Sequence, residues 1–244
     1  MKLRYPQKDN GMYIISRYDF DAIARQFLSE YAPGVLAGAK PVSIGDIAEE
    51  HLGLTLKYQN LSPDGEVSGL ISFGDTEYDC YDNMFRPIKL EIADGTILID
   101  YSLSKQITYP RRRFTIAHEV SHRLLHRSYR SQTNRHFSFR RKQDTLIACR
   151  AVNIEQANTK SDGKWTDHQW EEWQADSLAA SILMPIDTIK PFATEIIYAR
   201  SGKTYLNSAT DRIIRQEIIK KIANVFYVSH RAVEIRMKQL LLMQ

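Results

Sequence analysis

Residues 113–126 read Arg113-Phe114-Thr115-Ile116-Ala117-His118-Glu119-Val120-Ser121-His122-Arg123-Leu124-Leu125-His126. Phe114, Ile116, Ala117, Val120, Leu124 and Leu125 recur at helical spacing, so a helix is predicted after Pro110. Within it, His118-Glu119-Val120-Ser121-His122 is an HExxH motif. Positions i and i+4 share a helix face, so both imidazoles can reach one metal ion. Glu119 projects beside the first of them and suits a general base for water at that metal. The competing reading is an amphipathic helix with His and Glu on its surface. Ala117, Val120 and Leu124 flank the motif and set it near buried surface instead, where unpaired imidazoles are costly.

A catalytic zinc site takes a third protein ligand. The extended pattern HExxHxxGxxH fails, because Leu125 stands at its Gly and Ser128 at its third His. His126 lies a further turn along but has drifted by about 80° from His118, so it is read as supporting the ligands or lining the core edge rather than joining them. Downstream, Glu171-Glu172-Trp173-Gln174-Ala175-Asp176 opens a second helix continuing through Leu178, Ala179, Ile182 and Leu183. A Glu there completes a His-His-Glu set, and an acidic residue one turn later can orient a ligating imidazole. Glu172 with Asp176 has that spacing and Glu171 with Ala175 does not, so Glu172 is the expected ligand.

Working outward, helices are predicted over 17–31 and 43–52, the second capped by Ser43 and ended by Gly53. Alternating residues predict strands at 54–58, 69–73, 88–92 and 96–100, with Ala93-Asp94-Gly95 as a hairpin turn between the last two. Residues 127–168 form a polar, Arg-rich interruption, read as either a partly structured insertion or a mobile loop. Helical pattern resumes from Trp170 to Met184, where Pro185 ends it. Residues 213–226 and 229–242 make a closing pair of amphipathic helices.

The 244 residues suffice for one sizeable core, and 43% hydrophobic with 25% charged is an ordinary globular composition. No apolar run reaches the roughly 18 residues of a membrane span, and the N-terminus lacks a secretory pattern. Two cysteines, Cys80 and Cys149, fit a reducing compartment, so a cytoplasmic location is expected. The net charge of +4 permits a nucleic-acid partner without implying one.

The 113–126 stretch resembles the active-site helix of the ImmA/IrrE family of metallopeptidases, whose pattern runs approximately RFTLAHELGHxLLH. Residues 172–185, ending in Met184-Pro185, are similar to that family's second signature, ExxANxFAxxLLMP. Residues 44–61 resemble its leading helix and first strand, and 222–229 its closing segment. Ser121 in place of Gly, Leu178 in place of an aromatic, and a longer gap between signatures are departures that remove neither ligand nor base. The resemblance implies an α+β, zincin-like fold, an antiparallel sheet packed against helices carrying HExxH and the downstream Glu. It also implies a single metallopeptidase domain over 1–244, with a core at 40–190, the insertion at 127–168, and the closing pair at 213–244.

It further implies Zn2+ held by His118, His122 and Glu172, with Glu119 as catalytic base. Asp176, His126 and Arg113 would support these residues, and Tyr101, Tyr109 or His126 would face the developing oxyanion. The implied activity is zinc-dependent cleavage of a specific cytoplasmic protein, a helix-turn-helix transcriptional repressor being the expected partner. The alternative is a non-proteolytic regulator that binds a repressor or DNA; the intact Glu119 favours the enzyme.

Several features carry blander readings. Arg111-Arg112-Arg113 is either a solvated basic turn or a brace in which Arg113 meets a buried carboxylate. Arg127, Arg130, Arg135, Arg140, Arg141 and Lys142 read as a solvated insertion rather than a nucleic-acid surface. Cys149 reads as a structural cysteine. The closing pair resembles a helix-turn-helix with Arg231 and Arg236 on its second helix, but Val233, Ile235, Met237 and Leu240 leave little polar face, favouring a packing role.

Overall fold

The computed structural model describes residues 1–136, 146–150, 165–207 and 212–244. It is α+β, with seven helices and six strands among the described residues. In chain order these are α1 (Asp19–Tyr31), α2 (Ile44–Asp46, running on as a wider π-turn Ile47–His51), β1 (Thr55–Gln59), β2 (Val67–Ser72), β3 (Thr76–Tyr81), β4 (Pro87–Ile92) and β5 (Thr96–Asp100). There follow α3 (Tyr109–His136), β6 (Leu146–Arg150), α4 (Asp167–Leu183), α5 (Ile186–Ser201), α6 (Arg212–Phe226) and α7 (His230–Gln239). No described helix is long and apolar enough to cross a membrane. The chain divides into two compact units, Lys2–Arg17 with Ile44–Ala179, and Met1 with Tyr18–Ser43 and Ala180–Gln244.

The first unit is built on a four-stranded sheet of order β1-β5-β2-β6, with β3 and β4 as a separate antiparallel pair. All five residues of β5 are buried, in keeping with its interior position with partners on both edges. The expected antiparallel sheet is therefore mixed. β5 runs antiparallel to β2, and because β2 reverses the direction of β1, β5 must lie parallel to β1. The expected hairpin at Ala93-Asp94-Gly95 is also corrected. The turn exists, with Thr96 N donating to Ala93 O at 3.2 Å and Gly95 at φ +76°, but it passes the chain between sheets. Ile92 pairs with Thr76, whereas Thr96 pairs with Thr55. Ser72 anchors the crossing, its hydroxyl donating to Ala93 O at 2.5 Å while Gly95 N donates to Ser72 O.

α3 packs on this sheet over β2. A Cβ at Gly69 would lie 2.5 Å from Thr115 Cγ2 and 3.2 Å from Leu98 O, so only glycine lets the helix approach so closely. The helix continues through the first ten residues assigned to the insertion, reaching His136. Residues 137–145 and 151–164 of that insertion, with Arg140, Arg141 and Lys142, lie outside the described residues.

The second unit is helical. α1 buries Phe20, Ile23, Ala24, Phe27 and Leu28, and α6 buries Ile218, Ile219, Ile222, Ala223 and Phe226. Ser229 caps α7, its hydroxyl accepting from Ala232 N at 3.1 Å. Arg236, which the helix-turn-helix comparison placed on a reading helix, is 3% exposed. Its guanidinium donates to Asp21 and to Met184 O, so it braces the unit from within.

Candidate metal centre

Every residue from Thr115 to His122 is buried, which excludes the surface-helix reading of the motif. His118, His122, His126 and Arg130 follow at steps of four, forming one polar row along α3. α4 meets this row with Asp176, Glu172, Gln174 and Glu171. His118 Nε2 and His122 Nε2 stand 2.8 Å apart, and the Glu172 oxygens lie 3.4 Å from each. One ligand atom from each of the three falls within 4.8 Å of the others. Four ligands around a tetrahedral zinc at about 2.0–2.1 Å sit about 3.3–3.4 Å from one another, the distance of each imidazole from one of the two Glu172 oxygens, and the His–His distance is tighter.

The surroundings fit a cation. His118 Nδ1 meets Asp176 Oδ1 at 2.8 Å, so the ring donates there and turns a bare Nε2 to the cluster. Glu172 Oε1 is buried with no hydrogen-bond partner. Burial, aided by the nearby His118, lowers His122 to about 4, leaving it a neutral imidazole fit to ligate. These residues could hold a metal ion.

Glu119 is 0% exposed, and neither carboxylate oxygen has a hydrogen-bond partner. Oε1 lies 3.4 Å from where a Gly69 Cβ would sit, at ordinary contact distance. Burial raises its pKa from 4.5 to about 8, which keeps the acid protonated at neutral pH without a cation. An unpartnered buried carboxyl beside two imidazoles and a second carboxylate is expensive to keep in a core.

The remaining expected residues fall in different places. Asp176 is hydrogen-bonded to the first imidazole as described. His126 is fully buried, its Nδ1 2.9 Å from His122 Nδ1, so it contacts a ligand and is outside the ligand group. Arg113 is buried beside the Tyr109 ring, its guanidinium carbon 5.8 Å from the centroid. Tyr109 opens α3 nine residues before His118, about 13 Å along the axis. Tyr101 is 56% exposed in the turn after β5. Cys149 is in β6, opposite Gly69, and its side chain is outside the described residues.

Sequence reasoning missed three contributors. Gln174 Oε1, which can only accept, lies 3.0 Å from His126 Nε2, and its amide nitrogen donates to Tyr13 O at 2.9 Å. Arg130 holds Glu171 through two bonds of 2.9 and 2.6 Å, and burial still pushes that carboxyl up to about 7 against the guanidinium. His168, 67% exposed, places Nδ1 3.9 Å from Glu172 Oε1. The step of four from His122 through His126 to Arg130 is the one signal that could have pointed to this row.

The fold and site define an α+β protein with a buried His-His-Glu group able to hold a metal ion. No protein-family model matches the chain, and no curated protein matches it. A solved structure described as a Mycobacterium tuberculosis transcriptional regulator is similar at TM-score 0.45 and 13% identity, covering 90% of this chain and 46% of that one. The chain thus spans about half the length of that neighbour, 46%.

Proposed function

We propose that this chain is a zinc-dependent endopeptidase of zincin-like architecture, related to the ImmA/IrrE metallopeptidases its two motifs resemble. The observation that carries the reading is the unpartnered, fully buried Glu119 carboxyl next to the His118, His122 and Glu172 group. A structural site needs no such acid, whereas peptide hydrolysis needs a base. Zinc bound by these three residues supplies Lewis acidity toward water and a peptide carbonyl. A cation held there would favour the carboxylate form of Glu119. Glu119 Oε then takes a proton from the attacking water and delivers it to the leaving amine. Asp176 keeps the His118 ring oriented throughout.

The proposed substrate is a specific cytoplasmic protein, a helix-turn-helix repressor being the class the resemblance implies. The test is metal analysis together with incubation against candidate repressors, comparing wild type with Glu119→Gln. Cleavage by wild type and none by the variant supports the proposal. Stoichiometric repressor binding, with equal derepression by both proteins, would establish the non-proteolytic regulator instead.

A further inference from the structure

Glu172 is the sixth residue of α4, so its place depends on how firmly the first turn of that helix holds, and helix ends fray. The start is capped from within. Thr166 Oγ1 accepts from Gln169 N at 3.2 Å, and Gln169 Oε1 accepts from Thr166 N at 2.8 Å. It is also gripped from outside by the N-terminal segment. Residues 6–14 form a tight hairpin, with Ile14 N donating to Pro6 O and Lys8 N to Met12 O, both at 2.8 Å, and Met12 fully buried. Lys8 Nζ and Asn10 Nδ2 donate to the two oxygens of Asp167, the first residue of α4, at 2.9 and 3.0 Å. Two turns on, Gln174 Nε2 donates to Tyr13 O at 2.9 Å. We propose that this hairpin is a latch on α4, with Lys8, Asn10 and Asp167 as positioning residues that hold Glu172 ready for the metal ion.

The grip brackets the ligand. Asp167 and Gln174 lie seven residues apart, about 10 Å along the helix, and Glu172 stands between them. Asn10 is itself fixed, because its Oδ1 accepts from Met12 N at 3.1 Å while its Nδ2 serves Asp167. The other side of α4 is held by α3, through Arg130 to Glu171 and His118 to Asp176. In the i to i−4 ladder Glu172 N donates to His168 O, so fraying through His168 would cut the ligand loose from its helix. The hairpin fastens the residue just before that point.

The chain's three tryptophans, Trp165, Trp170 and Trp173, all sit at this joint. Their ring centroids lie 4.8 to 5.7 Å apart, and Lys8 Nζ stands 5.9 Å from the Trp170 centroid. Rings this close pack against one another and leave no space for a guest between them. Each is half-buried. Tryptophan emission of the whole protein is therefore a local reporter of the latch.

The latch stands on the hairpin's contacts alone; its consequence for zinc rests on the proposed metal centre. Lys8→Ala combined with Asn10→Ala removes both bonds to Asp167. In the full-length, zinc-free protein this pair should raise acrylamide quenching of the tryptophans. It should also weaken Zn2+ binding about three- to tenfold, the scale of two hydrogen bonds at a half-exposed carboxylate. The sign separates grip from charge, because deleting the Lys8 cation would by itself tighten Zn2+ binding. Lys8→Arg alone should keep wild-type quenching and affinity. Arg25→Ala, which breaks the two bonds to Asp187, should lower Tm while leaving both values unchanged. Quenching equal to wild type in the double variant would overturn the latch. Raised quenching with unchanged or tighter Zn2+ binding, or an equal loss of affinity in Arg25→Ala, would overturn its positioning role. If wild type binds no Zn2+ while the double variant still raises quenching, the latch stands and the metal centre fails.

Discussion

Replacing Glu119 by Gln should stabilise the zinc-free protein while abolishing its proposed activity. Burial lifts the folded-state pKa of Glu119 from 4.5 to about 8, and both oxygens lack partners. At pH 7 the folded chain keeps this acid protonated, whereas the unfolded chain ionises it. The gap from 4.5 to pH 7, at about 1.4 kcal/mol per pH unit, favours unfolding by about 3 kcal/mol. Gln is neutral in both states and removes that preference. Its amide is as poorly partnered as the protonated acid, so most of the gain remains, about 2–3 kcal/mol. That corresponds to a rise in Tm of about 4–12 °C for a chain of this size.

The sign sets the pH window. A carboxyl with a raised folded pKa binds more protons when folded, so wild-type stability relative to the variant is lost as pH rises from 4.5 through about 8. Thermal melts of both proteins in chelator between pH 4 and pH 9 provide the assay. The two should coincide below pH 4.5, diverge through neutrality, and run parallel above pH 8. Saturating zinc should shrink the difference, because the cation favours the ionised acid. A lower Tm for Glu119→Gln at pH 7, or a difference independent of pH, would refute this account of the site.

The melts of Glu119→Gln also isolate the buried histidines. Burial holds His122 at about 4 and His126 well below its usual value, so the unfolded state binds the extra protons and stability should fall as pH drops below 6.5. A curve flat from pH 6.5 to pH 4 would show that these rings are not held neutral. Gly69→Ala should lower stability by about 1–3 kcal/mol in denaturant titration, because its Cβ meets Thr115 Cγ2 at 2.5 Å and α3 must shift. A neutral result would mean that α3 does not lie this close to β2. Arg130→Met leaves Glu171, 1% exposed, without its counter-charge and should destabilise by about 3 kcal/mol. Adding Glu171→Met should recover most of that loss, and failure to do so would indicate that Arg130 acts through something other than the pair.

Local periodicity made individual elements legible, and non-local pairing stayed hidden. Thr96–Asp100 was readable as a strand from its own residues, and α6 and α7 followed from apolar spacing with Ser229 as the cap. Alternation reports which residues face the core but carries no strand direction, so the parallel β1–β5 pair and the exchange of sheets at Gly95 could not be read. α5 was missed because Pro185 is a true stop, and Pro191 inside the new helix looks like another. The last ten residues of α3 were missed because they offer no apolar stripe, leaving no period to detect.

At the site, the step of four between His118 and His122 and the spacing of Glu172 to Asp176 pointed to residues that meet in space. Gln174 gave no comparable signal, since a glutamine in a helix is ordinary and its partner Tyr13 lies 161 positions away. The exposed His168 on α4 stands beside Glu172.

The central claim is that His118, His122 and Glu172 together hold one zinc ion. It is tested most directly by the zinc content of wild type and Glu172→Ala after exhaustive dialysis, both verified as folded. The account predicts one zinc per wild-type chain and none in the variant. A wild type without zinc, or a variant that keeps its full complement, would contradict it.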